Sequence, residues 1–464
     1  MSDEVSMSAP RHLLLSVDDV GSALDTRLAL AVLAAEPHNR VYVGTHDSLM
    51  HLARRIKGGV YLGTRPLHSR SGSELDDYHF LKQRNFIFVH FDSQGAVYPG
   101  GERRWRAQLR ERLDPRQLDA RDYICTCGHF QRDFYRELNP PCRDNIRTTG
   151  HPRLDLYRRR WRPYYNDHVN RLRAQFGDFL LVNTDLARAN GGFNIGNTHH
   201  PRLADRYRDI HQWAHENETL SYFVRLIHRL HIVFPDLPIV VRPQNGEDPE
   251  FYHLVFQGLS SVHVLDKGPA APWILASRCV IHSGCVAGLK AHLGAAPNIN
   301  FRPIDDPQRI LFLPDQFGVV CNDIDQVVEC LIELFHTEAL RTSFDDPPLI
   351  DHRAKRLLNN LCAPSLPNIL AVLQEAQLQV GPAKSAPELA LRTEQTLLGA
   401  VRGIKRTIRP LSPIHDPVVK EASNICDGFD GDDIARRIEG LQTLAGRRVD
   451  HRLIGPRLMV VETR

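Results

Sequence analysis

Short apolar runs of strand length alternate with helical stretches along this chain, and the alternation occurs twice. The first series opens with HLLLSV from His12, passes a helical stretch at 24–35, and reaches RVYVGT, which ends at Thr45. A helix near 48–55 leads to GGVYLGT, and after a polar loop comes NFIFVHFD, ending at Asp92. DYICTCG, from Asp122, reads as one strand more. Apolar strands separated by helices predict a parallel sheet covered on both faces, because crossover helices must lie on those faces. The second series begins with FLLVNTD, ending at Asp185. It continues through LPIVVRP, VHVLD and RCVIHS, which ends at Ser283, and closes with a helix at 324–335. The charged, helical stretch at 158–178 reads as the connection between the two. A chain of 464 residues is too long for one ordinary core. The boundaries expected are therefore an N-terminal lobe at 10–155, a second lobe at 175–335 and a helical extension at 336–464.

Composition narrows the partners. Lys and Arg number 58 against 55 Asp and Glu, a net charge of +3, so a global positive field that would hold nucleic acid is excluded. Anion recognition has to be local. Nine cysteines without a regular spacing suit a reducing, cytoplasmic setting. The opening MSDEVSMSAPRH has no apolar run of a secretory signal, and no stretch approaches the ~20 apolar residues of a spanning helix. Near the end, Leu397, Val401, Ile404 and Ile408 fall at helical spacing, with Arg402, Lys405, Arg406 and Arg409 around them. That pattern reads either as a peripheral contact with an anionic inner-membrane surface or as an ordinary helix with a solvated basic face.

The segment RCVIHSGCVAGLKA carries the clearest chemistry. An apolar strand runs into Ser283 and Gly284, and the sequence then turns helical. Such a junction aims backbone N–H groups and the positive end of a helix at one spot, which favours a phosphate. Gly284 allows close approach of the backbone, Ser283 can cap the helix or bond a phosphate oxygen, and His282 stands at the strand's carboxyl end. Every β-α unit has such a junction, so a structural reading stands beside the functional one. His211 and His215 are spaced as metal pairs often are, but without H-E-x-x-H a surface helix is the better account, and no metal is expected.

IHSGCVAGLKAHLGAAPNINFRP resembles the HSGC segment, with paired threonines and a glutamate after it, of the bacterial surface carbohydrate biosynthesis family. Further matches follow in order: VHFDSQGAVY (89–98), TGHPRLDLY (149–157), FLLVNTD (179–185) and VVRPQNGED (240–248). The resemblance implies an α/β fold of the GT-B type, with two Rossmann-like lobes facing across a cleft and a helical C-terminal extension. It implies a metal-independent glycosyltransferase without a bound cofactor. A nucleotide sugar would be the co-substrate, and a surface glycan or lipid-linked molecule the acceptor. His282, Ser283, Gly284 and Cys285 would meet the donor phosphate, Arg242 would add a charge-assisted contact, and Asn183 and Thr184 would bond ligand hydroxyls. Asp92, at a first-lobe strand end, is the expected general base or nucleophile; the alternative is that it caps the turn at Gly95. Gly150, His151 and Arg153 read as a hinge turn.

The sequence also departs from that family. Val286 and Ala287 replace the threonines, Lys290 the glutamate, and Ser93 with Gln94 the acidic pair beyond Asp92. Three other activities therefore stay in view: a nucleotide-sugar 2-epimerase, a glycerophosphotransferase, and a non-catalytic nucleotide or glycan scaffold.

Overall fold

The computed structural model of the protein describes residues 10–17, 23–65, 67, 72–92, 95–191, 203–244, 246–336, 350–383, 390–395 and 428–464. The expected basic helix at 397–409, together with Ser93, Gln94, His199, His200 and Asn245, lies outside them. Among the described residues twelve strands alternate with helices, nine of them at the apolar runs read from the sequence. They are β1 (Arg11–Ser16), β2 (Asn39–Gly44), β3 (Gly59–Gly63), β4 (Phe86–Phe91), β5 (Tyr123–Thr126) and β6 (Ile146–Thr148), then β7 (Leu180–Asn183), β8 (Ile239–Arg242), β9 (Val262–Val264), β10 (Cys279–His282), β11 (Asn298–Phe301) and β12 (Val319–Cys321). Two more, β13 (Val449–Gly455) and β14 (Leu458–Thr463), come at the end of the chain.

Strand order determines where a ligand crevice can form. The second sheet runs β12-β11-β10-β7-β8-β9, and all its pairs are parallel. Counted from β7 this is the doubly wound order 3-2-1-4-5-6, which reverses between β7 and β10. Where the order reverses, the two connections leave on opposite faces of the sheet, and the carboxyl ends of β7 and β10 border an open crevice. In the first sheet, β2-β1-β3-β4-β5-β6 are parallel and the reversal falls between β1 and β3. Both lobes are thus Rossmann-like, and the two-lobed α/β architecture is observed.

Burial on both faces explains the unbroken apolar runs. Leu13 and Leu15 enter one apolar cluster while Leu14, between them, enters another. Leu180 and Val182 face away from Leu181 in the same manner. The cluster holding Leu13 also holds Trp161 of the connection and Leu181, Ala271 and Leu289 of the second lobe, so one interior links the lobes. Full burial of each such side chain contributes roughly 1.5–3 kcal/mol. In the connection, Tyr164 and Tyr165 donate hydrogen bonds to the buried Asp25 at 2.8 and 3.2 Å. The helix Asn166–Phe176 then packs on the helix Ala270–Ala276 of the second lobe.

The segment beyond the second lobe returns to the first, and it is not helical throughout. Its helices Leu366–Leu378 and Gly431–Ala445 pack on the helix Ala23–Ala34. The hairpin β13–β14 then extends the first sheet, with β14 antiparallel to β2. Gly44 permits this approach, since a side-chain carbon there would lie 2.8 Å from the Arg457 carbonyl oxygen.

The GHPRLD stretch holds this returning segment. Gly150 takes a positive φ of 83°, which aims the backbone at Asn360. The Asn360 amide donates to the His151 carbonyl at 3.0 Å and to Asp155 at 2.8 Å. Asp155 also accepts from the Ser365 and Leu366 amides at 2.6 and 2.7 Å, capping the helix that starts there. Burial pushes its pKa up to about 6, against the pull of these donors. No helix among the described residues is long and apolar enough to cross a membrane.

Candidate functional site

The turn after β10 opens into a cavity of about 360 Å³ that both lobes line. Pro99, Arg104 and Gln108 come from the first lobe. The second contributes Asp185, His215, Glu216, Ser283, Gly284, Cys285, Asn300, Arg302 and Asp315, among others. Asp185 follows β7 and Ser283 follows β10, so the cavity sits at the reversal of strand order. Gly284 adopts φ 77°, a left-handed conformation that L side chains rarely take. Cys285 precedes the helix Val286–Leu293 and offers it no side-chain cap, so the helix start faces the cavity without an internal anion.

His282 stands beneath this turn, not in the cavity, which corrects the expectation that it touches a ligand. It is fully buried, and its Nδ1 accepts the Gly284 N–H at 3.1 Å. The Nε2 faces Asn298 Oδ1 at 3.4 Å. An Nδ1 acceptor leaves the proton on Nε2, so the ring is a neutral tautomer with both nitrogens engaged. Burial pushes its pKa down to about 4. A side-chain carbon on Gly288 would lie 2.4 Å from Nε2, so the helix and the imidazole are fitted to each other.

Arg242 is likewise tied to the fold rather than to the cavity. Its Nη1 and Nη2 donate to the Lys267 and Gly268 carbonyls, both at 2.9 Å, and its guanidinium lies 5.0 Å from the centre of the Trp273 ring. Burial lowers its pKa to about 10. Thr184, 1% exposed, donates to the buried carboxylate of Glu247 at 2.9 Å. Glu247 also accepts from Tyr252 at 2.6 Å and the Gln244 amide at 2.8 Å. Thr184 thereby fixes the strand end and does not line the cavity. Asn183 is half-buried and pairs with His282 in the strand register; its Nδ2 finds no acceptor among the described residues.

Asp92 does not line the cavity. It is 6% exposed and accepts from Arg112 Nη1 at 3.1 Å. Its backbone carbonyl accepts from the Gly95 amide at 3.2 Å, while its side chain is engaged by Arg112 and not by that turn amide. The physical reason lies in topology. Asp92 follows β4, one strand away from the first-lobe reversal between β1 and β3.

Among the carboxylates that line the cavity, Asp185 stands at the reversal of strand order. It accepts no hydrogen bond from any described residue. Its pKa is pushed up to about 7, first by burial, then by the nearby charges of Glu247 and Glu216, with Lys290 pulling the other way. Glu216, from the long helix Leu203–Val233, accepts from the Arg188 amide at 2.9 Å and from Gln212 at 3.1 Å, and burial raises its pKa too. His215 lies beside it on the wall, so the surface-helix account of His215 gives way to a cavity position. No group of three or more His, Cys, Asp or Glu residues among the described ones is placed to hold a metal.

No family model and no curated protein matches the sequence. Solved structures similar to it include the wall teichoic acid polymerase TagF, at 11% identity and TM-score 0.47, covering 82% of this chain and 91% of that one. The UDP-GlcNAc 2-epimerase of Neisseria meningitidis, bound to UDP-GlcNAc, is similar at 10% identity and TM-score 0.46, over 79% of this chain and 100% of that one. A putative UDP-N-acetylglucosamine 2-epimerase from Listeria monocytogenes gives 10% identity and TM-score 0.48, over 79% and 96%. At such scores the architecture rests on this chain's own sheets.

The cavity is closed on one side by a strap from the second lobe. Gly100 N–H donates to the Ile310 carbonyl at 3.0 Å, and Arg104 Nη1 to the Gln308 carbonyl at 2.6 Å. Phe312 packs on Trp105 with ring centres 5.5 Å apart. Sequence reasoning missed these residues because 99–108 and 302–315 meet only once both lobes are folded.

Proposed function

We propose that this chain is an enzyme acting on a nucleotide-activated sugar held in the interlobe cavity, and that it transfers the glycosyl group to a surface-glycan acceptor. The observation that supports this most is that one cavity holds a helix N-terminal turn able to take phosphate, an uncommitted carboxylate with a raised pKa, and residues of both lobes. In the reaction the acceptor hydroxyl gives its proton to Asp185 as its oxygen bonds the anomeric carbon. The bond from that carbon to the phosphate oxygen breaks, and the electron pair leaves with the nucleotide. The charge that develops there meets the positive end of the helix Val286–Leu293. A group that titrates near 7 is well matched to this proton transfer. Asp185 thus takes the part first expected of Asp92.

A second reading, the 2-epimerase, gains from one specific feature. Asp185 and Glu216 line the same cavity, and two acid-base groups around one sugar are what proton removal and return would require. A thermal-shift panel of CMP, UDP, GDP and CDP tests ligand binding, because a ligand that binds only the folded state stabilises it by mass action. Selective stabilisation by one nucleotide is expected; no shift with any would remove the enzyme reading and leave the scaffold. Incubation of the matching nucleotide sugar without acceptor then separates the readings: an isomerised sugar still joined to its nucleotide marks the epimerase.

A further inference from the structure

Asn300 is the polar side chain whose state in the cavity is least explained by the fold. It ends near the carboxyl side of β11, is 1% exposed, and lines the cavity. Its orientation is fixed: Nδ2 donates to Asp315 Oδ1 at 2.9 Å, and a carboxylate cannot donate back, so the amide cannot be turned over. The other end, Oδ1, is buried and meets no donor among the described residues. It points at the anion-binding turn, since a side-chain carbon on Gly284 would meet this oxygen at 3.4 Å. Asp315 Oδ1 also accepts from Arg302 Nη1 at 3.0 Å, and Arg302 Nε likewise has no acceptor among the described residues. One carboxylate therefore holds an acceptor and a donor side by side on the cavity wall.

An amide oxygen is a poor neighbour for a phosphate oxygen, because both only accept. A buried acceptor left empty also costs about 1–3 kcal/mol, so its presence at this turn calls for a ligand donor. We infer that the ligand carries a hydroxyl or amino group next to its phosphate, and that this group donates to Asn300 Oδ1. The cavity then selects a phosphorylated polyhydroxy or amino compound over a bare phosphate, and Asn300 is its specificity-determining contact. This rests on the reading of the turn as a phosphate site and deepens it by naming what lies beside the phosphate.

The test is isothermal titration calorimetry on the full chain with inorganic phosphate, glycerol 3-phosphate, glucose 1-phosphate and the series of deoxyfluoro-glucose 1-phosphates. At least one of the two hydroxylated ligands should bind about tenfold more tightly than inorganic phosphate, the worth of one good hydrogen bond. If the sugar is the ligand, replacing one particular hydroxyl by fluorine should abolish that gain. If the gain lies with glycerol 3-phosphate, its 2-deoxy analogue, 1,3-propanediol monophosphate, should lose it. Asn300→Ala should lose the same tenfold, keep its affinity for inorganic phosphate, and become indifferent to the missing hydroxyl. Equal affinity for phosphate and every hydroxylated ligand would overturn the assignment of Asn300 while leaving the phosphate site standing. So would a removal series in which no position matters, a comparison on the unaltered chain that does not depend on how the variant folds. Failure of every ligand to bind would overturn the phosphate site and this inference with it.

Discussion

Asp92 and Asp185 both follow parallel strands at their carboxyl ends, yet one is closed into the first lobe and the other faces the cleft. Asp92 pairs with Arg112 and closes a turn; Asp185 accepts no hydrogen bond from a described residue and lines the cavity. Residue type does not separate them. Place in the strand order does, since β7 and β10 flank the reversal of their sheet whereas β4 lies off the reversal of its own. A second first-lobe carboxylate, Asp155, is also occupied by the fold, where it holds the returning segment.

The sharpest way to break this comparison is to exchange each carboxylate for its amide. Asp185→Asn should lower kcat by about 10²–10⁴-fold, the usual worth of a general acid or base, and keep the fold. Asp92→Asn should instead cost about 2 kcal/mol in denaturant unfolding, because it leaves Arg112 without its counter-charge. Loss of turnover in a fully stable Asp92→Asn protein would reverse the two assignments. Asp155→Ala should be destabilising by about 3 kcal/mol, since three donors lose their acceptor in a buried place, again read by denaturant unfolding.

Next in size is a pH effect. The folded protein binds the Asp185 proton more tightly than the unfolded chain does, so this group's contribution to stability is full below a pH of about 4. It is lost as pH rises through about 7. Water in the cavity screens the group, and we expect the loss to be about 2 kcal/mol. Asp155, raised to about 6, adds a similar slope, so the difference between wild type and Asp185→Asn isolates the Asp185 part. Identical pH profiles for the two proteins would remove Asp185 from the cavity's electrostatics. The smallest effect is expected of Lys290→Ala. Without the ammonium that lowers it, the Asp185 pKa should climb, and the acid limb of the pH-rate profile should move up by less than about one unit.

Much of the fold was legible in the sequence because strands buried on both faces leave unbroken apolar runs such as FIFVHF and LLVN. Their neighbours were not legible, for an apolar run says nothing about which strand it pairs with, and the reversal between β7 and β10 emerges only from pairing. The hairpin β13–β14 was missed because its first strand is mostly half-exposed and carries Asp450, His451 and Arg452. Gly455 and Pro456 between two runs were the turn signal that could have revealed it. In the site, the turn at Ser283–Cys285 was visible as a strand running into glycine. Asp185 was in view as the last residue of FLLVNTD, but nothing local distinguishes it from Asp92. His282 and Arg242 looked like ligand contacts by type, and only the tertiary structure assigns their nitrogens to Gly284 and to two carbonyls. Asn300 gave no signal at all, since its meaning depends on Asp315 fifteen residues on.

Whether the turn after β10 takes up an oxyanion can be seen directly. Crystals of the full chain soaked in tungstate, a heavy phosphate mimic, should give an anomalous peak within hydrogen-bonding distance of the backbone amides of Cys285 and Val286, on the side facing Asp185. Strong peaks elsewhere in the molecule with that turn empty would contradict the account.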